Sequence, residues 1–369
     1  MNCIYSAYQG LAVVATQFAR RSRSAIALAL LACLAACAGH PTEAPLPQMA
    51  AQKAPVVVTN PETGMRSTEV SVLIYNVAGL PWPIKTGRTK QLKKIGAELA
   101  AMRAAGTHPD IVLLQEAFSA PSGELVSMSG YPNFVRGPAR RDVSPEKLSP
   151  EVEASFKKDR RFFKGEKFGK WMNSGLYALT DYAILAKRSR PFKRYECAGY
   201  DCLSNKGILG IAVQIPGVPS PLQVVTTHMN SRNSTGVSEE RSLRAHNLQM
   251  DELDDFLDAN LNEQLPMIYG GDFNMKNARD RLDYAATKRP YPTVRRYCTR
   301  VVDDCDIRMS FDGDEPWLRT QDLQGAVDGA LVKIRPIRAE ALFDEPVDGK
   351  MLSDHDGYLV TYRLSWMPE

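Results

Sequence analysis

Five segments of the chain carry, at or beside an apolar run, a residue that can bind a metal, move a proton or hold a phosphate. Val72-Leu73-Ile74-Tyr75 runs into Asn76, Ile111-Val112-Leu113-Leu114-Gln115 into Glu116, and Val224-Val225-Thr226-Thr227 into His228. Met267-Ile268-Tyr269 leads through Gly270-Gly271 to Asp272-Phe273-Asn274, and Ser353-Asp354-His355-Asp356 precedes the last strand-like run. Breaking a phosphodiester needs a divalent cation to neutralise the phosphate, a base for the water, an acid for the leaving oxygen and donors for the developing charge. Glu116 and Asn76 offer the hard oxygens that Mg²⁺ accepts while keeping most of its waters, and Mn²⁺ or another divalent cation would also suit them. His228 and His355 are two of only five His in the chain, which narrows the choice of acid and base at neutral pH. Asp272 and Asn274, two apart at a strand end, point to the same side. One can order a water there while the other hydrogen-bonds a phosphoryl oxygen.

Taken singly, each residue has a plain structural explanation. A Glu after an apolar run is commonly a surface turn residue, Asn76 could cap a turn, and Asp272-Phe273-Asn274 could be an Asx-turn. One isolated His is commonly a satisfied structural residue, and Asp328 alone is uninformative. Their joint occurrence at successive strand ends is what points to a site.

The elements that must position these residues follow from periodicity. A strand over Val70–Asn76 is followed by the loop Leu80-Pro81-Trp82-Pro83 and by a helix with Leu92, Ile95, Leu99 and Met102 on one face, ending at Gly106. Ile111–Gln115 is the next strand. Two β-like segments, Gly175–Leu179 and Tyr182–Ala186, are joined by Thr180-Asp181, and Gly207–Ile215 and Leu222–Thr227 flank the turn Pro216-Gly217-Val218-Pro219. Leu243, Asn247, Met250, Leu253 and Leu257 predict a long helix over 239–260 with Ser238 as its N-cap. Strands are expected at Met267–Tyr269, near Ala326–Val332 and at Tyr358–Leu364. Two stretches read as insertions. Residues 136–170 carry eleven Lys/Arg against six Asp/Glu, a solvated face that could also attract anionic headgroups or phosphates, and residues 277–322 are irregular. An α/β sandwich, two sheets face to face with helices outside, accounts for this order better than a doubly wound sheet.

The N-terminal region reads as an export signal. Ala25–Leu34 is ten residues long, against the roughly 20 that a membrane-spanning helix needs, and it follows Arg20, Arg21 and Arg23. The 19 residues before Arg20 are long for a leader, so translation could begin further on, and the Arg pair also fits a twin-arginine signal weakly. Leu34-Ala35-Ala36-Cys37 resembles the bacterial lipobox, which implies cleavage before Cys37 and its lipidation. Ala38, in place of Asp, implies sorting to the outer membrane of a bacterial envelope. Residues 1–36 are then signal peptide, 37–69 a Pro- and Ala-rich tether, and 70–366 the catalytic domain. Losing residues 1–36 removes three Arg and no acid, so the net charge falls from +4 to +1. That gives no general attraction for nucleic acid. Cys197, Cys202, Cys298 and Cys305 remain, an even number in an exported chain, and short separations favour pairing the first two and the last two.

The full set of motifs resembles the endonuclease/exonuclease/phosphatase superfamily, the deoxyribonuclease I-like fold, from about Val70 to Leu364. It comprises Tyr75-Asn76-Val77, Leu114-Gln115-Glu116, Asn173-Ser174-Gly175-Leu176, Thr227-His228, Gly271-Asp272-Phe273-Asn274, Val327-Asp328-Gly329 and Ser353-Asp354-His355. The resemblance implies a four-layer α/β sandwich of two packed mixed sheets flanked by helices. It makes Glu116 the principal metal ligand with Asn76 beside it, and has Asp354 assist the metal or its waters. It makes His355, oriented by Asp328, the imidazole at the attacking side, and His228 its counterpart near the leaving group, with Asp272 and Asn274 stabilising the phosphorane. The abasic-site endonuclease branch is disfavoured, because Ala78 stands where that branch has Asp and because His228 is present. Cys202-Leu203-Ser204-Asn205-Lys206-Gly207-Ile208-Leu209, leading into a strand, resembles the Asn-Lys-Gly segment of neutral sphingomyelinases, as does the tract Leu80-Pro81 after the first strand; the plain alternative for the Lys-Gly tract is a hairpin turn entering a strand. The expectation is thus a monomeric, lipid-anchored Mg²⁺-dependent phosphodiesterase acting on phospholipid headgroups. A surface nuclease is the alternative enzyme, and a non-catalytic surface-binding lipoprotein the alternative of another class.

Overall fold

Side-chain alternation along the strands decides which layers form. In β2 (Arg66–Asn76), Val70, Val72 and Ile74 face one way and Leu73 and Tyr75 the other, and all five are buried. Both faces therefore need a covering layer. The first set packs on Ile211, Val213, Val224 and Ile268 of a second sheet. The other set packs on Leu92, Ile95 and Leu99 of helix α1 (Arg88–Ala104) and Leu125 of α2 (Ala120–Met128). On the far side, Val225, Met267 and Tyr269 lie beneath Met250, Leu253, Phe256 and Leu257 of α4 (Glu239–Asn260). The result is helix, sheet, sheet, helix, the four-layer α/β sandwich expected. The computed structural model describes residues 54–81, 84–288, 293–300, 305–308, 310 and 321–368.

The larger, eight-stranded sheet runs β10 (Asp306–Arg308), β12 (Lys333–Leu342), β13 (Gly357–Trp366), β2, β3 (Ile111–Gln115), β5 (Tyr177–Thr180), β4 (Asn133–Arg136), with β1 (Val58–Thr59) also paired to β2. The smaller runs β11 (Asp322–Val327), β9 (Met267–Asp272), β8 (Leu222–His228), β7 (Gly207–Gln214), β6 (Ala183–Pro191). β2 and β3 are parallel with Asn76 opposite Gln115, and β8 and β9 are parallel with His228 opposite Asp272. β11 is antiparallel to β9 with Asp322 opposite Asp272, and β13 is antiparallel to β2 with Tyr358 opposite Ile74. Four strand ends and two strand starts consequently meet at one rim. Polar side chains tie the sheets together beneath it: Gln115 Nε2 donates to Thr226 Oγ1 at 3.1 Å, and Gln324 Nε2 to Val72 O at 3.2 Å and Tyr358 O at 2.7 Å.

Several expectations are corrected. β2 begins at Arg66 and pairs with β1, so the last residues assigned to the tether belong to the sheet. The strand placed near Ala326–Val332 straddles a turn between β11 and β12. The two segments joined at Thr180-Asp181, β5 and β6, belong to different sheets; the chain crosses between Thr180 and Ala183, and the buried Asp181 there pairs with Arg103 and, at 2.6 Å, with His108. Residues 136–170 contain α3 (Pro150–Asp159), and 277–322 contain α5 (Arg279–Thr287) and α6 (Val294–Arg300). Ser238 occupies the N-cap position of α4 without a side-chain capping bond. The disulfides are Cys197–Cys202 and Cys298–Cys305. The signal segment, Cys37 and the tether up to residue 53 lie outside the described residues. Among the described residues no helix is long and apolar enough to cross a membrane.

Candidate active site

The rim gathers Asn76, Glu116, His228, Asp272, Asn274, Asp354 and His355. Glu116 follows β3 with φ 55° and Asn274 follows β9 with φ 54°, both in the left-handed region that non-glycine residues avoid. Such positions cost roughly 1–3 kcal/mol each and persist where the surroundings over-determine them. The bends turn both side chains off the strand line. Gly271 has no alternative: a Cβ there would lie 2.1 Å from Thr227 O. The last loop is fixed to the first, since Arg88 donates to Val77 O, Ala78 O and Leu352 O, and Ser353 Oγ to Asn76 O at 2.6 Å.

Asp272 is the hub. One carboxylate oxygen accepts Asn76 Nδ2 at 3.0 Å, and the other accepts Gln321 Nε2 at 3.0 Å and the Asn274 N–H at 2.9 Å. Nε2 of His228 lies 3.5 Å from Asp272 and Nε2 of His355 lies 4.0 Å from it. Burial raises the Asp272 pKa, with Asp322 adding to the rise. The Asn274 side chain is itself engaged, donating to Met229 O at 3.1 Å and accepting from Gln321 at 3.0 Å, so in this geometry it fixes the loop.

The surroundings push His355 and His228 in opposite directions. Asp322 Oδ2 lies 2.8 Å from His355 Nδ1, and although burial opposes it, this carboxylate pushes the imidazole up to about 10. Burial holds His228 well below its usual value, with Lys206 and His355 adding to the effect. Lys206 Nζ lies 3.0 Å from His228 Nε2 and also donates to Met229 O at 2.8 Å and to Asp201 at 3.0 Å. Lys206 therefore brings a fixed positive charge to the His228 side, a part of the Asn-Lys-Gly tract whose role the sequence did not specify.

Asp328 does not orient His355. β11 runs from Asp322, opposite Asp272, to Val327, opposite Met267, so Asp328 sits at the far end of the strand. At about 3.3 Å per residue that is roughly 20 Å from the rim. There its carboxylate accepts from Ile334 N at 2.9 Å and Arg335 at 2.8 Å. Asp354 is peripheral, paired with Lys85 at 2.7 Å. Sequence reasoning also missed Arg281 of α5, a buried cation that donates to Asn230 O, Asn274 O at 3.0 Å, Ser231 O and Ser242 Oγ and so clamps the loop after β9.

The donor set fits a divalent cation. Burial raises the pKa of Glu116, whose ion-pair neighbour among the described residues is His228 at 4.0 Å, and the buried Oδ1 of Asp322 has no hydrogen-bond partner. Hard oxygens with unmet negative charge are what Mg²⁺ relieves. Asp272, Asp322 and His355 also present one ligand atom each within 4.8 Å, but Asp322 and His355 already bond each other. Glu116, with Asn76 beside it and Asp354 further out on Lys85, is the better placed ligand.

The architecture has known counterparts. Sphingomyelinase C from Streptomyces griseocarneus superposes with a TM-score of 0.55 at 20% identity, over 79% of this chain and 99% of that one. A beta toxin from Staphylococcus aureus with bound magnesium ions gives 0.52 at 16% identity, over 82% of this chain and 100% of that one. D. rerio TDP2 complexed with a single-strand DNA product gives 0.51 at 16%, over 80% and 98%. The chain has the deoxyribonuclease I-like fold. No protein-family model and no curated protein sequence matches it.

Proposed function

We propose that the chain is an exported, Mg²⁺-dependent phosphodiesterase that hydrolyses phospholipid headgroups in the manner of a sphingomyelinase C. The observation that carries this is the meeting of Glu116, Asp272, His228 and the His355–Asp322 pair at one rim, with Lys206 on His228. A cation held by Glu116, beside Asn76 and Asp354, would neutralise the substrate phosphate. His355, in the form that has released its own Nε2 proton to solvent, takes the proton of the attacking water there, because Asp322 occupies Nδ1 and stabilises the imidazolium that forms. On the other flank the Lys206 ammonium, positioned 3.0 Å from His228 Nε2, faces the developing negative charge of the leaving oxygen, which takes its proton from water as it departs. Asp272, fixed by Asn76 and Gln321, keeps the two imidazoles apart and oriented, and Asn274 holds its loop.

The sphingomyelinase C structure supports the lipid reading, and so does the packing of the Asn205-Lys206-Gly207 tract against His228, while the beta toxin with bound magnesium ions supports the cation. The lipobox-like Leu34-Ala35-Ala36-Cys37 supports export and acylation, with the outer membrane of a bacterial envelope as the destination. A second reading, a nuclease, draws on the TDP2 structure with its DNA product and on the cationic chain 136–170. Incubating the protein with sphingomyelin, phosphatidylcholine, phosphoinositides and DNA in Mg²⁺ separates them. Choline-phosphate release from sphingomyelin above the rate on DNA is expected. Ready degradation of DNA with every phospholipid intact would replace the lipid reading by the nuclease.

A further inference from the structure

Two features, one on the chain between β4 and β5 and one beside it, take no part in the chemistry above. The first is an aromatic ridge. Phe162 is 51% exposed, Phe163 87% and Phe168 36%. The Phe162 ring lies 5.4 Å from Phe163 and 4.6 Å from Phe168, which lies 5.6 Å from Trp171. Exposed apolar area is unfavourable in water by about 25 cal/mol per Å². The exposure is nevertheless built in. The buried Glu166 accepts the Arg161 and Gly199 backbone N–H groups and pairs with Arg241. Gly165, at φ +79°, lets Leu203 pack where a Cβ would come within 2.8 Å. The loop is pinned from inside with its rings outward.

The second feature is a pocket of about 180 Å³ beside the ridge, into which Arg160, Lys167, Lys170, Arg194 and Arg241 converge. Among the described residues only Arg241 has a carboxylate partner, Glu166. Arg160 and Arg194 each lie 5.0 Å from the Tyr195 ring, and Lys170 donates to Ser204 O at 2.8 Å. Burial lowers the Lys170 ammonium to about 8 despite Asp201 nearby. Five cations against the one carboxylate of Glu166 in the lining leave an excess of positive charge, which an anion entering between them would stabilise.

We propose that this pocket binds the phosphate of an anionic phospholipid while the Phe162–Phe163–Phe168 ridge enters the acyl boundary of the same bilayer. Apolar rings next to unpaired cations match a membrane interface, where charge meets headgroups and rings meet chains. The rings pack edge-on and tilted against one another, at 85° and 54°, as a compact apolar ridge rather than as a row of parallel platforms for successive nucleic-acid bases. The same loop leads to the site: Trp171 N–H donates to Leu203 O at 2.7 Å and Asn205 N–H to Met172 O at 3.1 Å, and Lys206 follows. Docking would thus hold the rim against the surface that carries its substrate. The proposal rests on the phospholipid reading, but binding is measured without turnover, so either can fail alone.

The test is flotation of the full chain carrying Cys37→Ser, which excludes an acyl anchor, with phosphatidylcholine vesicles with or without phosphatidylglycerol. Lys167→Gln with Arg194→Gln should weaken partitioning onto the anionic vesicles about 30-fold, the loss expected for two cations at such a surface. Phe163→Ala should weaken it on both vesicle types. Arg279→Gln with Arg363→Gln, exposed cations elsewhere at 91% and 51%, should leave it unchanged. Parental binding by the pocket and ridge variants, or an equal loss in the control pair, overturns the proposal. So does a pocket that binds inorganic phosphate or an oligonucleotide while the protein ignores anionic vesicles.

Discussion

Asp322 and Asp272 stand directly opposite each other in the antiparallel pair of β11 and β9, and that single register places one carboxylate on His355 Nδ1 and the other 4.0 Å from its Nε2. Asp322→Asn should therefore lower turnover by roughly 10²-fold or more, on the scale of a positioned general base. Without the carboxylate the His355 pKa falls, so the acidic limb of the rate profile should move to lower pH even as the maximum drops. Asp328→Asn, at the other end of the strand, should leave both unchanged. A pH–rate series on the two variants checks the pair.

Glu116→Gln exchanges a charged hard ligand for a neutral amide. Mg²⁺ titrations of activity should show weaker apparent affinity and a lower plateau, while the thermal transition stays near the parent's. Matching titration curves would move the principal ligand elsewhere.

Arg281→Leu removes a buried guanidinium that satisfies the carbonyls of Asn230, Ser231 and Asn274. Unpaired buried carbonyls should cost roughly 3 kcal/mol of stability by denaturant unfolding. Activity should fall further than Lys-for-Arg replacement would cause, because the loop carrying Asn274 is released.

The strand ends were legible because Val72–Tyr75, Ile111–Leu114, Val224–Thr227 and Met267–Tyr269 are apolar on both faces and stop abruptly at polar residues. Sandwich packing produces that signature, and parallel pairing brings the ends together. Asp322 was hidden for the opposite reason. Its strand buries Gln324, whose amide bridges Val72 O and Tyr358 O between the sheets, so hydropathy does not mark the strand and the apolar run Ala326–Val332 shifted it. Arg281 and Gln321 fell in a stretch without periodicity, and a buried Arg reads as a surface one until its carbonyl partners are seen. The disulfide pairings were accessible from spacing alone.

Glu196 gives a pH dependence unrelated to catalysis. It is buried beside Glu252, and burial, then the bond to Glu252, pushes its pKa far above the usual carboxylate range. The folded state thus binds this proton more tightly than the unfolded chain, whose Glu titrates near about 4.3. Its contribution is complete below that value and is lost as pH rises towards the folded pKa. Glu196→Gln should raise Tm relative to the parent at pH 8 and hardly change it at pH 4 (values chosen at about those limits). Equal Tm shifts at both pH values would contradict the assignment.

Hydrolysis of a phospholipid phosphodiester by the His355 rim with Mg²⁺ is the proposal on which the other roles depend. It is tested by choline-phosphate release from sphingomyelin vesicles by the parent and by His355→Ala, each with Mg²⁺ and with chelator. Release by the parent should require Mg²⁺, and the variant should lose at least roughly 10²-fold. Release that persists in chelator, or that His355→Ala leaves at the parental rate, would contradict it.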